Sequence, residues 1–199
     1  IKSIHEGCKE SQCSLIGGET AEMPGVYKKN DFDMAGFAVG VVERKNLVTK
    51  KNVSDDSIML GLESSGFHSN GFSLIRNVLK KNIGNLNIKT PYKSKQKKLF
   101  KDLLIPTKIY TRLILPLIEK NLIDSMAHIT GGGLSENIQR ALPDGFHVKI
   151  DAKNFFSPEK FIWLAKIGKI RSDEMLKTFN CGIGFVIVIK KKNYRQITK

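Results

Sequence analysis

The stretch from Ser57 to Leu79 constrains the fold more than any other. Ser57-Ile58-Met59-Leu60-Gly61-Leu62 is a short apolar run that reads as a buried strand. Ser64-Ser65-Gly66-Phe67-His68-Ser69-Asn70-Gly71 follows, dense in glycine and small polar residues. Phe72, Ile75, Val78 and Leu79 then recur at helical spacing. The order is strand, polar glycine loop, helix start. Such a helix start offers free backbone N–H groups and the positive end of a helix dipole, which suits a phosphate or another anion. The loop has neither Walker A nor Rossmann spacing, so those fingerprints do not explain it.

Two other glycine clusters sit in similar company. Ser14-Leu15-Ile16 reads as a short strand running into Gly17-Gly18-Glu19-Thr20-Ala21-Glu22-Met23-Pro24-Gly25. The glycine pair permits a backbone turn and presents Glu19, Thr20 and Glu22 together. Acidic oxygens beside a hydroxyl are what a hard cation such as Mg²⁺ selects, and they equally suit a turn with solvated acids. Asp33 either adds a carboxylate to that group or ends a turn before the small, apolar Met34–Glu43, which reads as a closely packed strand. Further on, a short strand within Ile123–Ile129 leads into Thr130-Gly131-Gly132-Gly133-Leu134-Ser135-Glu136-Asn137. Three glycines between strand and helix make a second anion cradle or a flexible turn, with Arg140 nearby.

The remaining elements follow from periodicity. Ile1, Ile4 and Cys8 predict a helix over 1–13, and a second helix runs over 108–120 with Pro116 as a kink or early stop. Residues 83–98 read as irregular. Phe146–Ile150 reads as a strand, Glu159–Ala165 as a helix packing Phe161 and Trp163, and Phe185–Ile189 as a strand with Asn180 and Gly182 at its mouth. Tyr194–Lys199 shows no closing element. The polar stretch Thr49–Asp56 marks a domain boundary near residue 54. The fold class is therefore α/β (α+β) in two parts, 1–53 and 54–199.

Composition narrows the setting. The 199 residues are 41% hydrophobic, enough for a core, yet nothing approaches the ~20 apolar residues of a membrane span. Residues 1–15 lack a leader's apolar region. Cys8, Cys13 and Cys181 form no CxxC pair, which points to neither disulfides nor zinc and to a reducing cytoplasm. The four histidines, His5, His68, His128 and His147, lack metal-ligand spacing; only His68, among small polar neighbours, is free to meet a ligand. The net charge of +14 raises the question of nucleic acid. Only six of the 33 basic residues are Arg, and the densest cluster, Lys93–Lys101, comes with no RNA-binding signature or interleaved aromatic set, so it reads as a solvated linker.

Gly17–Gly25, Ser65–Leu74, Thr130–Asn137, Leu104-Ile105-Pro106-Thr107-Lys108-Ile109-Tyr110 and Phe179-Asn180-Cys181-Gly182-Ile183-Gly184 together resemble phosphoribosylformylglycinamidine cyclo-ligase, the aminoimidazole ribonucleotide synthetase family. Selenophosphate synthetases and thiamine-phosphate kinases share that fold but differ at GGETAEMPG. The resemblance implies ATP-dependent ring closure of formylglycinamidine ribonucleotide to aminoimidazole ribonucleotide in purine synthesis, with ATP and Mg²⁺. It implies His68 and Asn70 as catalytic residues. It places Thr20, Ser65, Gly66, Ser69, Gly71, Thr130, Gly131, Gly132, Gly133, Glu136, Asn137 and Asn180 at substrate or nucleotide, and Glu19 and Asp33 at the metal. Whether loop 65–71 or loop 130–137 holds the substrate phosphate stays open, as does His68 as hydrogen-bond donor or proton-transfer group. The family has two α/β domains, the first pairing into a dimeric β-barrel. Its Asp-Gly-Val-Gly-Thr-Lys segment does not occur here, so the chain reads as an internal fragment, with 1–53 the end of the first domain and 54–199 an incomplete second domain. The implied partners are the small-molecule substrate and a second copy, with no nucleic acid and no membrane.

Overall fold

A computed structural model describes residues 1–151 and 157–198. The chain forms two compact units, residues 1–47 and 48–199.

The first unit carries one helix, α1 (Lys2–Glu10), and a 3-10 turn at Arg44–Asn46. α1 ends short of the expected residue 13. Ser11 N–H bonds the carbonyl of Gly7 and its hydroxyl that of Cys8, and Gln12 turns left-handed at φ +57. The strands expected at 14–16 and 34–43 are not formed among the described residues. A strand is stable only when its N–H and C=O groups meet a ladder partner. Here Phe37 and Val41 stand 95% and 100% exposed, so their apolar pattern finds no surface to bury against.

The second unit is built on a three-stranded antiparallel sheet of order β1–β3–β2, with β1 Ser57–Glu63, β2 Ser125–His128 and β3 Ile183–Lys190. β3 pairs with β1 from Ser57↔Lys190 to Leu62↔Phe185, and with β2 from Ser125↔Val188 to His128↔Phe185. Both flanking strands run opposite to β3. Their C-terminal ends therefore lie together, beside the start of β3. A register shift between Leu62 and Glu63 marks that same end.

β3 is apolar along its length because both its faces are covered. Val186 and Val188 join Met59 and Ala127 on one face, against helices α2 (Phe72–Asn82), α5 (Gly133–Arg140) and α6 (Glu159–Gly168). Ile187 and Ile189 turn to the other face, with Ile58, Leu60, Tyr110 and Ile114, where α4 (Thr111–Glu119) packs. Pro116 does not stop α4; Lys120 N–H still reaches the Pro116 carbonyl. α4 starts at Thr111 rather than 108. Val53 is buried in the main core, so residues 48–53 pack with this unit.

Three further helices escaped the periodicity: α3 (Leu99–Leu103), α7 (Ser172–Thr178) and α8 (Tyr194–Ile197). With two turns or fewer, each is too short for a 3.6-residue pattern to emerge. α8 falls in Tyr194–Lys199, where the periodicity shows no element; Lys199 lies outside the described residues. The strand expected at 146–150 is absent as well. Phe146 N–H closes a turn on the Pro143 carbonyl, and Gln139 Nε2 donates to the Phe146 carbonyl, leaving this segment tied to α5 rather than to a strand.

Candidate functional site

Three loops meet where β1 and β2 end and β3 begins. Residues 64–71 leave β1, residues 129–132 leave β2, and residues 179–182 enter β3. Backbone bonds tie them: Ser64 N–H to the Gly182 carbonyl at 2.9 Å, and Ile129 N–H to the Gly184 carbonyl at 2.9 Å. Buried Asn180 bridges two of them, donating from Nδ2 to the Gly66 carbonyl and accepting Gly182 N–H at Oδ1, both at 2.8 Å. Of the residues expected at a ligand, Asn180 is thus a staple between loops.

His68 is buried and holds a left-handed φ of +57. For a non-glycine residue this conformation costs about 1–2 kcal/mol. Its ring compensates by anchoring two segments: Nε2 accepts Ser65 N–H at 3.1 Å and Lys108 N–H at 3.5 Å. The ring proton therefore sits on Nδ1, which is buried without a hydrogen-bond partner. Burial above all, then the neighbouring His128 and Lys108, lower its pKa to about 4, so it is neutral at physiological pH. Ser65 Oγ donates to the Pro106 carbonyl at 2.6 Å, and Ser69 and Thr107 hydroxyls stand 3.3 Å apart. The 104–110 segment thus forms the outer support of the loop. Asn70 is half-buried beside it.

Glycine is required where this loop enters α2. Gly71 takes φ +73 as the helix N-cap, and a Cβ there would lie 2.4 Å from the Phe179 ring. Gly184 lets Tyr110 and His68 meet over β3; a Cβ would fall 2.1 Å from Tyr110 Oη. Tyr110 Oη donates to the Glu63 carbonyl at 2.8 Å, and burial raises its pKa to about 12.

The second glycine loop is built differently. Gly132 caps α5 at φ +89 and Gly133 presses on the Leu176 carbonyl of α7, where a Cβ would lie 2.3 Å away. Buried Asn137 donates to the carbonyls of Gly131 and Gly133 at 3.0 and 2.8 Å and accepts from Arg140 Nη1 at 3.2 Å. Like Asn180, it shapes its loop from inside. The Glu136 carboxylate folds back over Gly132 and pairs with Arg140 at 3.8 Å. Thr130 and Gly131 stay accessible. Ring centroids of His68 and His128 lie 6.2 Å apart, linking the two loops. Next to them a cleft of about 300 Å³ opens between Thr107, Lys108, Tyr110, His128 and Phe185.

Glu19, Thr20 and Asp33 belong to the first unit. Glu19 is exposed; Asp33 accepts Met34 N–H at 2.8 Å and Tyr27 O–H at 3.4 Å, the bonding of a turn. Among the described residues no group of three or more His, Cys, Asp or Glu gathers as metal ligands. Lys108, Tyr110 and His128 stand at the site without having been named as site residues, and Lys160 and Asp102 stand under it without having been singled out. Lysine in a lysine-rich chain carries no signal of its own, and nothing local in the sequence pairs Asp102 with Lys160.

These features define a mixed helix–sheet unit that delivers two glycine-capped helix starts to one end of an antiparallel sheet. The chain belongs to the AIR synthase related protein family, whose C-terminal domain it matches over residues 54–199. It is 47% identical over 189 residues to a phosphoribosylformylglycinamidine cyclo-ligase of Neisseria meningitidis, covering 95% of this chain and 54% of that protein. A Bacillus licheniformis protein of the same name is 44% identical over 197 residues, 99% of this chain and 57% of the relative. The trifunctional purine biosynthetic protein adenosine-3 of Gallus gallus is 45% identical over 201 residues, 100% of this chain and 20% of its own length. The chain spans about half the length of the single-function relatives.

Proposed function

We propose that this chain is the substrate-holding part of an enzyme that closes formylglycinamidine ribonucleotide to aminoimidazole ribonucleotide, with ATP converted to ADP and phosphate, in purine synthesis. The observation that carries this is the meeting of loops 64–71, 129–132 and 179–182 at one end of the sheet. The names and extent of identity of its relatives support the particular reaction.

In this reaction the formyl oxygen is phosphorylated to become a leaving group, the neighbouring nitrogen attacks the carbon, and phosphate departs as the ring closes. Such chemistry asks a protein for placement and charge stabilisation more than for a nucleophile. Loop 65–71, with Ser65, Gly66, Ser69 and Gly71 at the start of α2, receives one phosphate. Thr130 to Gly133 at the start of α5 receive another anionic group, with Glu136 available to a ribose hydroxyl. His68 acts as a hydrogen-bond donor: its Nε2 is filled by two N–H groups and its depressed pKa removes the imidazolium. Asn70 is the half-buried polar partner at the same loop. Mg²⁺ would supply charge neutralisation on the ATP phosphates, and exposed Glu19, with oxygens suited to a hard cation, is its candidate ligand here. Asp33 fits that role less well, because both its oxygens accept bonds within its own turn. The exposed apolar residues of 34–42 suit pairing between two copies, and the setting is cytoplasmic.

The test is direct. Protein expressed from the complete reading frame is given ATP, Mg²⁺ and formylglycinamidine ribonucleotide, and ADP and aminoimidazole ribonucleotide are measured. The two are expected in equal amounts. ADP release without ring closure would overturn the proposal.

A further inference from the structure

Most lysines of this chain project into water. Lys160 does not. It rises from the first turn of α6, its side chain 11% exposed, and pairs with Asp102, whose side chain is wholly buried. Lys160 Nζ lies 3.0 and 3.3 Å from the two carboxylate oxygens. Tyr92 O–H donates to the same carboxylate at 2.8 Å, and the Ser94 hydroxyl donates as well. Burial and this bond push the Tyr92 pKa well up, so Tyr92 remains a donor. Asp102 is therefore saturated.

A buried ion pair seldom adds net stability, because desolvating two charges cancels most of their attraction. This one has a second neighbour. Gly66 also stands beside Nζ: a Cβ there would lie 3.2 Å from the ammonium. The Gly66 carbonyl is already held by Asn180. An ammonium has three N–H donors, of which Asp102 occupies two here. The third is not taken by Asp102, and the ammonium also stands 5.9 Å from the centre of the Tyr92 ring.

We propose that Lys160 is a positioning residue for the Gly66 turn. Held from behind by Asp102, its ammonium sets the turn's backbone and puts a fixed positive charge beneath the loop that receives a phosphate. This rests on the phosphate-holding role given above to loop 65–71.

The experiment uses protein from the complete reading frame in three forms: wild type, Lys160→Met, and the double variant Lys160→Met with Asp102→Asn. The single variant leaves a buried carboxylate unpaired and is expected to melt earlier. The double variant removes both charges and is expected to recover most of that loss. Two readouts follow: KM and kcat for each phosphorylated substrate, and the melting shift induced by inorganic phosphate alone. In the double variant, KM for one phosphorylated substrate should rise about tenfold, the size of one lost charge-assisted bond, with kcat little changed. The phosphate-induced shift should shrink in parallel. A double variant with wild-type KM and wild-type phosphate shift would reduce the pair to a packing device and overturn the proposal, as would a wild type that shows no phosphate shift. If wild type shows the shift but closes no ring, and the double variant loses the shift, Lys160 keeps its role and the assigned reaction falls.

Discussion

At the scale of single residues, two positions decide whether the site can form. Gly184 is where Tyr110 and His68 both reach the central strand. A methyl group there would stand 2.1 Å from Tyr110 Oη and 2.5 Å from His68 Cε1. Overfilling a packed interior costs about 1–3 kcal/mol, so Gly184→Ala should lower the melting temperature measurably. His68 itself carries a pH signature. Its pKa falls from 6.5 to about 4 on folding, so between these values the unfolded chain binds the extra proton. Its contribution is fully present above pH 6.5 and is lost as pH falls towards 4. His128, lowered by burial, acts in the same direction. Urea titrations at pH 7, 5.5 and 4.5 should show stability falling with acid, and His68→Gln should flatten that fall. The glycines and the histidine of this loop were legible in the sequence. The roles of Asn137 and Asn180 were not. The resemblance places both at a ligand; in the structure both amides also turn inward and satisfy loop carbonyls that would otherwise be buried unpaired.

At the scale of elements, β3 carries the unit. Its alternating side chains serve two cores at once, and Ile187 is 2% exposed. Ile187→Ala should cost about 2–5 kcal/mol in denaturant unfolding, because it empties space in a packed cluster on one face of the sheet. The amides of β3 should also be the slowest to exchange with deuterium in the chain. Asn180→Ala leaves the Gly66 carbonyl and the Gly182 N–H unpaired, a loss of about 1–3 kcal/mol, and should raise exchange within 64–71 while leaving β3 protected. The apolar runs of β1 and β3 and the helical spacing of α2 were readable within a residue or two of their bounds. α3 was not: it is five residues long, and its buried face includes the charged Asp102, which distant Lys160, with Tyr92 and Ser94, makes tolerable.

At the scale of the whole molecule, the two units differ in kind. Residues 48–199 hold both buried clusters, whereas residues 1–47 bury no side chain. Limited proteolysis of this chain should cut first between residues 14 and 43 and leave a fragment starting near residue 48, read by mass spectrometry; early cuts inside β1 or β3 would contradict the division. The apolar run 34–43 shows why pattern alone misled there. Hydrophobic spacing states what a segment would bury, but a strand exists only once a partner supplies its ladder. By itself the sequence determined the central strand–loop–helix unit and the glycine positions, because these depend on local backbone geometry and short-range spacing, and its motifs carried the resemblance to the family. Tertiary structure alone decided that β1 and β2 flank β3 and end together, that His68 spends its Nε2 on the backbone, and that Lys160 and Asp102 meet beneath Gly66. Those contacts join residues tens of positions apart, and no local period records them.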